Sequence, residues 1–526
     1  MADSKTAFPP WLSRVATLRG VFFVFLFYGL VHGGVTLIPG ATLALDDVKL
    51  NVLTQSWQAG YLRENPPLFE WLLMLTQTMV GPTLFSFVAV KYALMTVTGI
   101  FAFLIGRMVF GDQRWAVLGA LGLVLLYQIG WNYHQAFTHS LALIATVMVF
   151  WWALLRLLRE PTILQYTTLG FSIGLGMIAK YSFAGAVAAA VIAMMTEREY
   201  RSTILSPRIL IAITVAGLVM TPHMVWLSAT NPAVASDTIG RLRGEEAAYL
   251  VRLAQGVPAA IWAFVSFYLP FALIAGVLFG RLASGSKLGR LGRLLRNASL
   301  VGMAGVFLAV IALGVPSLQE RYLIAFLFPA YFWVLLLLKE SEPSSRQVGL
   351  YAASVAIVAI AIVSVRLVQT ATPGKPFCSS CRQWIPYEAV ADELRRVGFE
   401  TGTLVGYTDH TAGNLRRLFP KARVISSHLP GYTPPGGALS EPCYFIWSPS
   451  LAQPPSEALL ARFDPSTTRM VTGEWRHFAR KKGWRKTHWS IAQINHDPDL
   501  VRALCKPEFA GNSIGQEEKS RIKSEL

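Results

Sequence analysis

Gly20-Val-Phe-Phe-Val-Phe-Leu-Phe-Tyr-Gly-Leu-Val-His-Gly-Gly-Val-Thr-Leu-Ile-Pro-Gly40, followed by Ala41-Thr-Leu-Ala-Leu45-Asp46-Asp47-Val48, is the stretch that decides the fold. About 20 apolar residues suffice to carry a helix across the ~30 Å hydrocarbon core of a bilayer. The run 20–40 meets that length and ends just before two adjacent carboxylates. It is longer than a signal-peptide core and no Ala-x-Ala site follows it, so it reads as a membrane span that is retained.

Outward from this run the same pattern recurs. Eleven apolar segments are expected as spans: 20–40, 83–106, 115–130, 138–155, 166–179, 181–196, 208–228, 257–280, 298–315, 322–338 and 348–368. The segments 115–130, 166–179 and 181–196 are short for a crossing. The last two flank Lys180 and suggest two helices meeting at a re-entrant turn; one long, kinked helix is the alternative. Composition agrees with a polytopic α-helical membrane protein. Of 526 residues, 53% are apolar and 15% charged, with a mean hydropathy of +0.44. Soluble domains carry about 25% charged residues, and disorder requires low hydrophobicity, so both classes are excluded.

The net charge of +17 is read by position. With the N-terminus inside, the inner segments hold 17 Lys and Arg, against seven in the outer loops up to residue 347. Positive residues gather on the cytoplasmic side, so the N-terminus is expected to be cytoplasmic and the region after the eleventh span outside. The chain then divides into a membrane module, 1–368, and an extracytoplasmic domain, 369–526. In the latter, Thr403–Tyr407, Arg423–Ser426 and Tyr444–Trp447 read as strands, and 386–398 and 409–419 as amphipathic helices. That alternation suggests a small α/β domain. All four cysteines, Cys378, Cys381, Cys443 and Cys505, lie there. An even count outside the cell reads as disulfides of open connectivity. The Cys-x-x-Cys spacing alone also fits a redox or metal site, but no second such pair or histidine cluster supports one.

Polar groups at the membrane are costly and mark candidate sites. Asp46 and Asp47 stand at the outer mouth of the first span, followed by Trp57, Gly60-Tyr61 and Glu64-Asn65-Pro66-Pro67-Leu68. Paired acids suit general-base chemistry, one ionised as base while the other orients it; a solvated loop with a helix cap is the plain alternative. Outer cations able to grip a phosphate are Arg321, Lys180, Arg241 and Arg243. Lys180 alternatively snorkels, and Arg241 and Arg243, in the loop 229–256, alternatively face solvent. Lys91 lies within the second span and is a candidate structural partner of Glu70. His134 and His139 flank Phe137 outside the fourth span, where interfacial hydrogen bonding is the default and contact with sugar or phosphate the alternative. The tail segment Glu474–Lys486, with six basic residues among aromatics, fits anionic lipid or a phosphorylated glycolipid better than nucleic acid once placed outside a membrane; a solvated hairpin rim is its plain reading.

Three motifs resemble glycosyltransferase family 39, the C-type (GT-C) enzymes that include protein O-mannosyltransferases and lipid A aminoarabinose transferases. They are Asp46-Asp47 … Gly60-Tyr61 … Pro66-Pro67-Leu68, Gly174-Leu-Gly-Met-Ile-Ala-Lys180-Tyr181, and Glu320-Arg321-Tyr322-Leu323 … Pro329. Asn65 stands where many relatives have Lys or His, and the loop 131–139 lacks an acid that relatives often have. The resemblance implies an inverting glycosyltransferase of the bacterial inner membrane. It would move a sugar from a polyprenyl-phosphate donor to a cell-envelope glycolipid, such as lipopolysaccharide or lipid A, on the periplasmic face. Asp46 would then be the general base and Asp47 its partner, with Arg321, Lys180, Arg241 and Arg243 toward the donor phosphate. Tyr61, Trp57, Glu64, Asn65, His139 and Tyr322 would line the substrates. A divalent cation is open, with no convincing ligand spacing. The expected partners are the lipid-linked sugar, the glycolipid and membrane lipids, with no nucleic acid. A transporter or lipid flippase is the alternative, though no internal repeat supports it.

Overall fold

The computed structural model describes residues 10–62, 64–135, 138–230, 248–280, 289–372, 374, 376–377, 381–429, 432, 434, 442–478, 483–494 and 498–505. In chain order its main elements are α1 (Leu18–Leu37), α2 (Asp46–Leu53), α3 (Leu68–Val80), α4 (Leu84–Phe110), α5 (Gln113–Leu121), α6 (His139–Arg159), α7 (Ile163–Ala179), α8 (Phe183–Met195), α9 (Ile209–Thr230), α10 (Tyr249–Phe279), α11 (Arg290–Leu313), α12 (Ile324–Glu340), α13 (Ser345–Ala371), α14 (Glu388–Arg396), β1 (Thr403–Gly406), α15 (Asp409–Leu418), β2 (Arg423–Ser426), β3 (Cys443–Trp447), β4 (Arg469–Glu474) and β5 (Lys486–Gln493).

Each of the eleven apolar segments contains a helix, but not each is a crossing by length. Among the described residues seven helices are long and apolar enough to span a bilayer: α1, α4, α6, α9, α10, α11 and α13. An eighth is reached if the bent pair 113–125 and 127–134, angled by 72°, counts as one. The bend falls at Leu126, whose extended backbone (φ −83°, ψ 123°) interrupts the helix. The count of eleven spans is therefore not carried over from the sequence. The segments around Lys180 form two separate short helices, α7 and α8, with Lys180 itself extended at the end of α7 (φ −165°). Helix α3 falls on no expected span.

The chain divides into two compact units. The first holds residues 1–32, 63–69 and 91–364. In it α7 packs on α9 through a Gly-x-x-x-Gly face. A Cβ on Gly170 would come within 2.8 Å of the Ala212 Cα, and one on Gly174 within 2.6 Å of the Val219 Cβ. Hydrophobicity does not drive helices together in lipid, so such close approach supplies the packing. Arg293 donates twice to Glu197, from Nε and Nη2, each at 2.8 Å, which holds the Glu197 carboxyl below the usual range.

The second unit holds 33–62, 70–90 and 365–526. Its sheet has the order β2-β1-β3-β5-β4. β1 pairs in parallel with β2 and β3, and β5 runs antiparallel to β3 and β4. Val405, Phe445, Trp447, Phe463 and Ala492 form its core. The sheet's β2 edge is closed by a side chain: Gln55 donates to the Val424 carbonyl at 2.8 Å and accepts from the Val424 amide at 2.9 Å. That satisfies edge groups that would otherwise seek another strand. Cys443 and Cys505 form a disulfide with Cα atoms 6.3 Å apart. Cys381 is also disulfide-bonded; Cys378 lies outside the described residues.

Candidate functional site

In the second unit the acid pair opens α2. Leu45, just before it, has φ 54° and ψ −131°, a positive-φ backbone that costs a non-glycine residue about 1–3 kcal/mol. Asp46 is exposed, whereas Asp47 on the next position is 6% exposed. The two carboxylates thus differ in environment, one open to a ligand and the other packed inside. Both lie at the end of the helix where the backbone dipole favours negative charge. Trp57 is 57% exposed and offers a free ring face. Tyr61 does not. It is 2% exposed, donates to the Ser56 carbonyl at 2.8 Å and accepts from the Gln58 amide at 3.3 Å. Burial raises its phenol pKa. In this structure it packs beneath the loop, where the resemblance implied a residue lining the substrates.

Behind the acids is a polar network that the sequence did not suggest. The Asn51 amide donates to the Gly413 carbonyl at 2.8 Å and the Pro82 carbonyl at 3.2 Å, and accepts from Gln77 at 2.9 Å. The Asn414 side chain exchanges two bonds with the Leu43 backbone, at 2.9 and 3.1 Å. Arg416, 7% exposed, donates to the carbonyls of Asn51 and Thr54 and to the Thr54 hydroxyl, the last at 2.8 Å.

In the first unit two candidate phosphate ligands lie near one aromatic ring. Lys180 Nζ lies 5.8 Å, and the Arg321 guanidinium carbon 5.4 Å, from the centre of the Tyr322 ring. Lys180 also donates to Ser140 Oγ at 3.1 Å. Glu320 accepts from Ser266 Oγ at 2.8 Å. His139 lies beside Ser140, its Nδ1 3.1 Å from Thr138 Oγ1 and its ring 6.1 Å from that of Phe69. Glu64 is exposed and Asn65 half-buried. Arg241 and Arg243 lie outside the described residues.

Also in this unit, the Lys91 ammonium donates to the Gln135 carbonyl at 2.6 Å, so a backbone oxygen is among its partners. His134 is buried between Tyr28 and Tyr92, whose hydroxyls lie 2.9 Å from Nε2 and 3.1 Å from Nδ1. Its ring stacks on His32 at 3.7 Å, nearly parallel at 7°. A lone histidine inside the first span was the available signal for this stack. Among the described residues no group of three or more His, Cys, Asp or Glu is placed to hold a metal ion.

The chain as a whole is similar to known proteins. Residues 64–226 match the sequence profile of the dolichyl-phosphate-mannose-protein mannosyltransferase family. The lipopolysaccharide core galacturonosyltransferase RgtB of Rhizobium johnstonii is 27% identical over 422 residues, 79% of this chain and 84% of that protein. RgtA of the same organism, with the same descriptive name, is 28% identical over 437 residues, 81% and 86% of the two. The crystal structure of ArnT from Cupriavidus metallidurans bound to undecaprenyl phosphate superposes with a TM-score of 0.57 at 12% identity, covering 89% of this chain and 97% of that one. Its apo state gives 0.52 over the same shares. At that identity the likeness is one of fold: a C-type arrangement of apolar helices with a small C-terminal sheet domain.

Proposed function

We propose that this multi-pass membrane glycosyltransferase, whose residues 64–226 match the profile of the dolichyl-phosphate-mannose-protein mannosyltransferase family, moves a sugar from a polyprenyl-phosphate donor to a lipopolysaccharide or lipid A acceptor on the periplasmic face. The observation that carries this reading is the convergence of Lys180 and Arg321 on the Tyr322 ring. Two cations near one ring suit the leaving lipid phosphate, where charge develops as the glycosidic bond breaks. The ring and Ser140 supply an aromatic wall and a hydroxyl beside them. Three relatives point the same way by name: two galacturonosyltransferases of the lipopolysaccharide core and ArnT with undecaprenyl phosphate. Galacturonate is therefore the first sugar to test.

In the proposed reaction Asp46 removes the proton from an acceptor hydroxyl. The hydroxyl oxygen attacks the anomeric carbon, the bond from that carbon to the phosphate oxygen breaks, and the lipid phosphate departs with inversion. Asp46 is favoured over Asp47 because it is the exposed member of the pair. Buried Asp47 would orient the loop or bind the acceptor from below. In membranes supplied with a polyprenyl-phosphate sugar and acceptor glycolipid, Asp46→Asn should lower transfer at least about 100-fold, the scale of general-base catalysis, without loss of donor binding. Transfer at the wild-type rate would overturn the base assignment. No reaction or binding by the unmodified protein with any lipid-linked sugar would overturn the reading as a whole.

A further inference from the structure

The C-terminal sheet domain and the acid-bearing helix belong to one compact unit, although about 360 residues of chain separate Asn51 from Gly413. Helix α15 grips α2 along its length. At the near end, Asn414 bonds both ways to the backbone of Leu43, two residues before the strained Leu45. In the middle, Gly413 lies directly against Val48. A Cβ there would overlap the Val48 carbonyl oxygen and come within 2.7 Å of its Cα. At the far end, the buried Arg416 guanidinium takes the carbonyls of Asn51 and Thr54, the oxygens that the last turn of α2 leaves without helical partners.

A cation on the carbonyl end of a short helix and two acids on its amide end both complement the backbone dipole. An eight-residue helix does not hold itself in water. A positive-φ leucine persists only where the surroundings over-determine it. Burial pushes the Arg416 guanidinium pKa down to about 10, which still leaves it charged at neutral pH.

We propose that α15 of the C-terminal domain is the clamp that sets the acid pair for transfer, with Arg416 as its positioning residue and Gly413 and Asn414 as its contact points. This rests on the assignment of Asp46 as base. Arg416 touches no reacting atom in this scheme; it acts through the placement of α2. A displacement of about 1 Å in a catalytic group costs up to about 100-fold in rate.

The experiment uses the full-length protein in lipid nanodiscs and reads amide hydrogen exchange alongside transfer kinetics. Arg416→Met should speed exchange in residues 46–54 while leaving β3 and β5 protected. It should lower kcat roughly 10- to 100-fold with the donor KM unchanged. Arg416→Lys, which keeps a charge at the helix end without the planar fork, should recover part of the rate. Gly413→Ala should reproduce the kcat loss with no change of charge. Unchanged exchange in 46–54 overturns the proposal, as does exchange that rises equally through β3 and β5, or a kcat that stays at the wild-type value. Asp46→Asn, measured in the same discs, separates the two claims. If it transfers normally while Arg416→Met is slow and exchanges faster in 46–54, Asp46 is not the base and the clamp as a device that sets Asp46 is overturned with it; if Asp46→Asn is inactive and Arg416→Met transfers normally, the clamp alone fails.

Discussion

His410 shows how a single side chain in the C-terminal domain records its surroundings. Its Nδ1 lies 2.8 Å from the Tyr387 hydroxyl. Burial, with Arg382 adding repulsion, pushes its pKa down to about 4 from an ordinary 6.5. The unfolded chain therefore takes up a proton near pH 6.5 that the folded one refuses until about pH 4. Stability tied to this residue is full above pH 6.5, falls as pH drops through that window, and levels below it. The loss amounts to at most about 3 kcal/mol. Thermal melts at pH 7.5 and pH 5 should show a smaller difference in His410→Gln than in the wild type. Equal differences would mean that another group titrates. At this scale the sequence was uneven. Lys180 was marked as an isolated cation in apolar sequence, and Arg321 and Tyr322 by a family-like motif; that both cations lie near the Tyr322 ring needed the structure. Arg416 was not, because an arginine on an amphipathic helix normally faces water and nothing local marks one that turns inward.

Elements were legible where their own residues pay for them. The apolar runs, the strands 403–406, 423–426 and 443–447, and the helices 388–396 and 409–418 all rest on local periodicity. Helix α2 was read as a loop because two aspartates, a lysine and an asparagine in eight residues carry no helical pattern; its support comes from Gly413 to Arg416, far along the chain. Strands β4 and β5 were given no bounds because a basic run drew the reading toward charge, although the plain reading of 474–486 as a hairpin rim falls between these two antiparallel strands. The tie between β3 and the chain's later part makes a separate prediction. Cys443 and Cys505 close a loop with a sequence separation of 62, worth about 4 kcal/mol in the chain-entropy estimate and about 2–4 kcal/mol in typical measurements. Replacing both cysteines by serine should lower the denaturation midpoint of the C-terminal sheet accordingly, followed by tryptophan fluorescence, since Trp447 lies in that core. An unchanged midpoint would show that the bond adds nothing to the folded sheet.

For the whole molecule the charge distribution and the disulfides make one joint statement about sidedness. On the eleven-span expectation, seventeen Lys and Arg fall on the segments assigned inside, against seven on the outer loops up to residue 347, and from this we propose a cytoplasmic N-terminus. Disulfides persist in an oxidising compartment, and Cys443–Cys505 and Cys381 belong to the domain that the same rule places outside. The two arguments are independent, since one uses loop charge and the other redox chemistry. No cysteine among those described is free, so single introduced thiols report sidedness against a low background. Ser202 and Ser466 are both exposed, and they fall on opposite sides in this topology. In intact spheroplasts a membrane-impermeant maleimide should label Ser466→Cys and spare Ser202→Cys until the membrane is opened. The reverse pattern would invert the orientation. It would also place Asp46, whose helix belongs to the same unit as the sheet domain, on the cytoplasmic side, where the proposed envelope acceptor would not meet it.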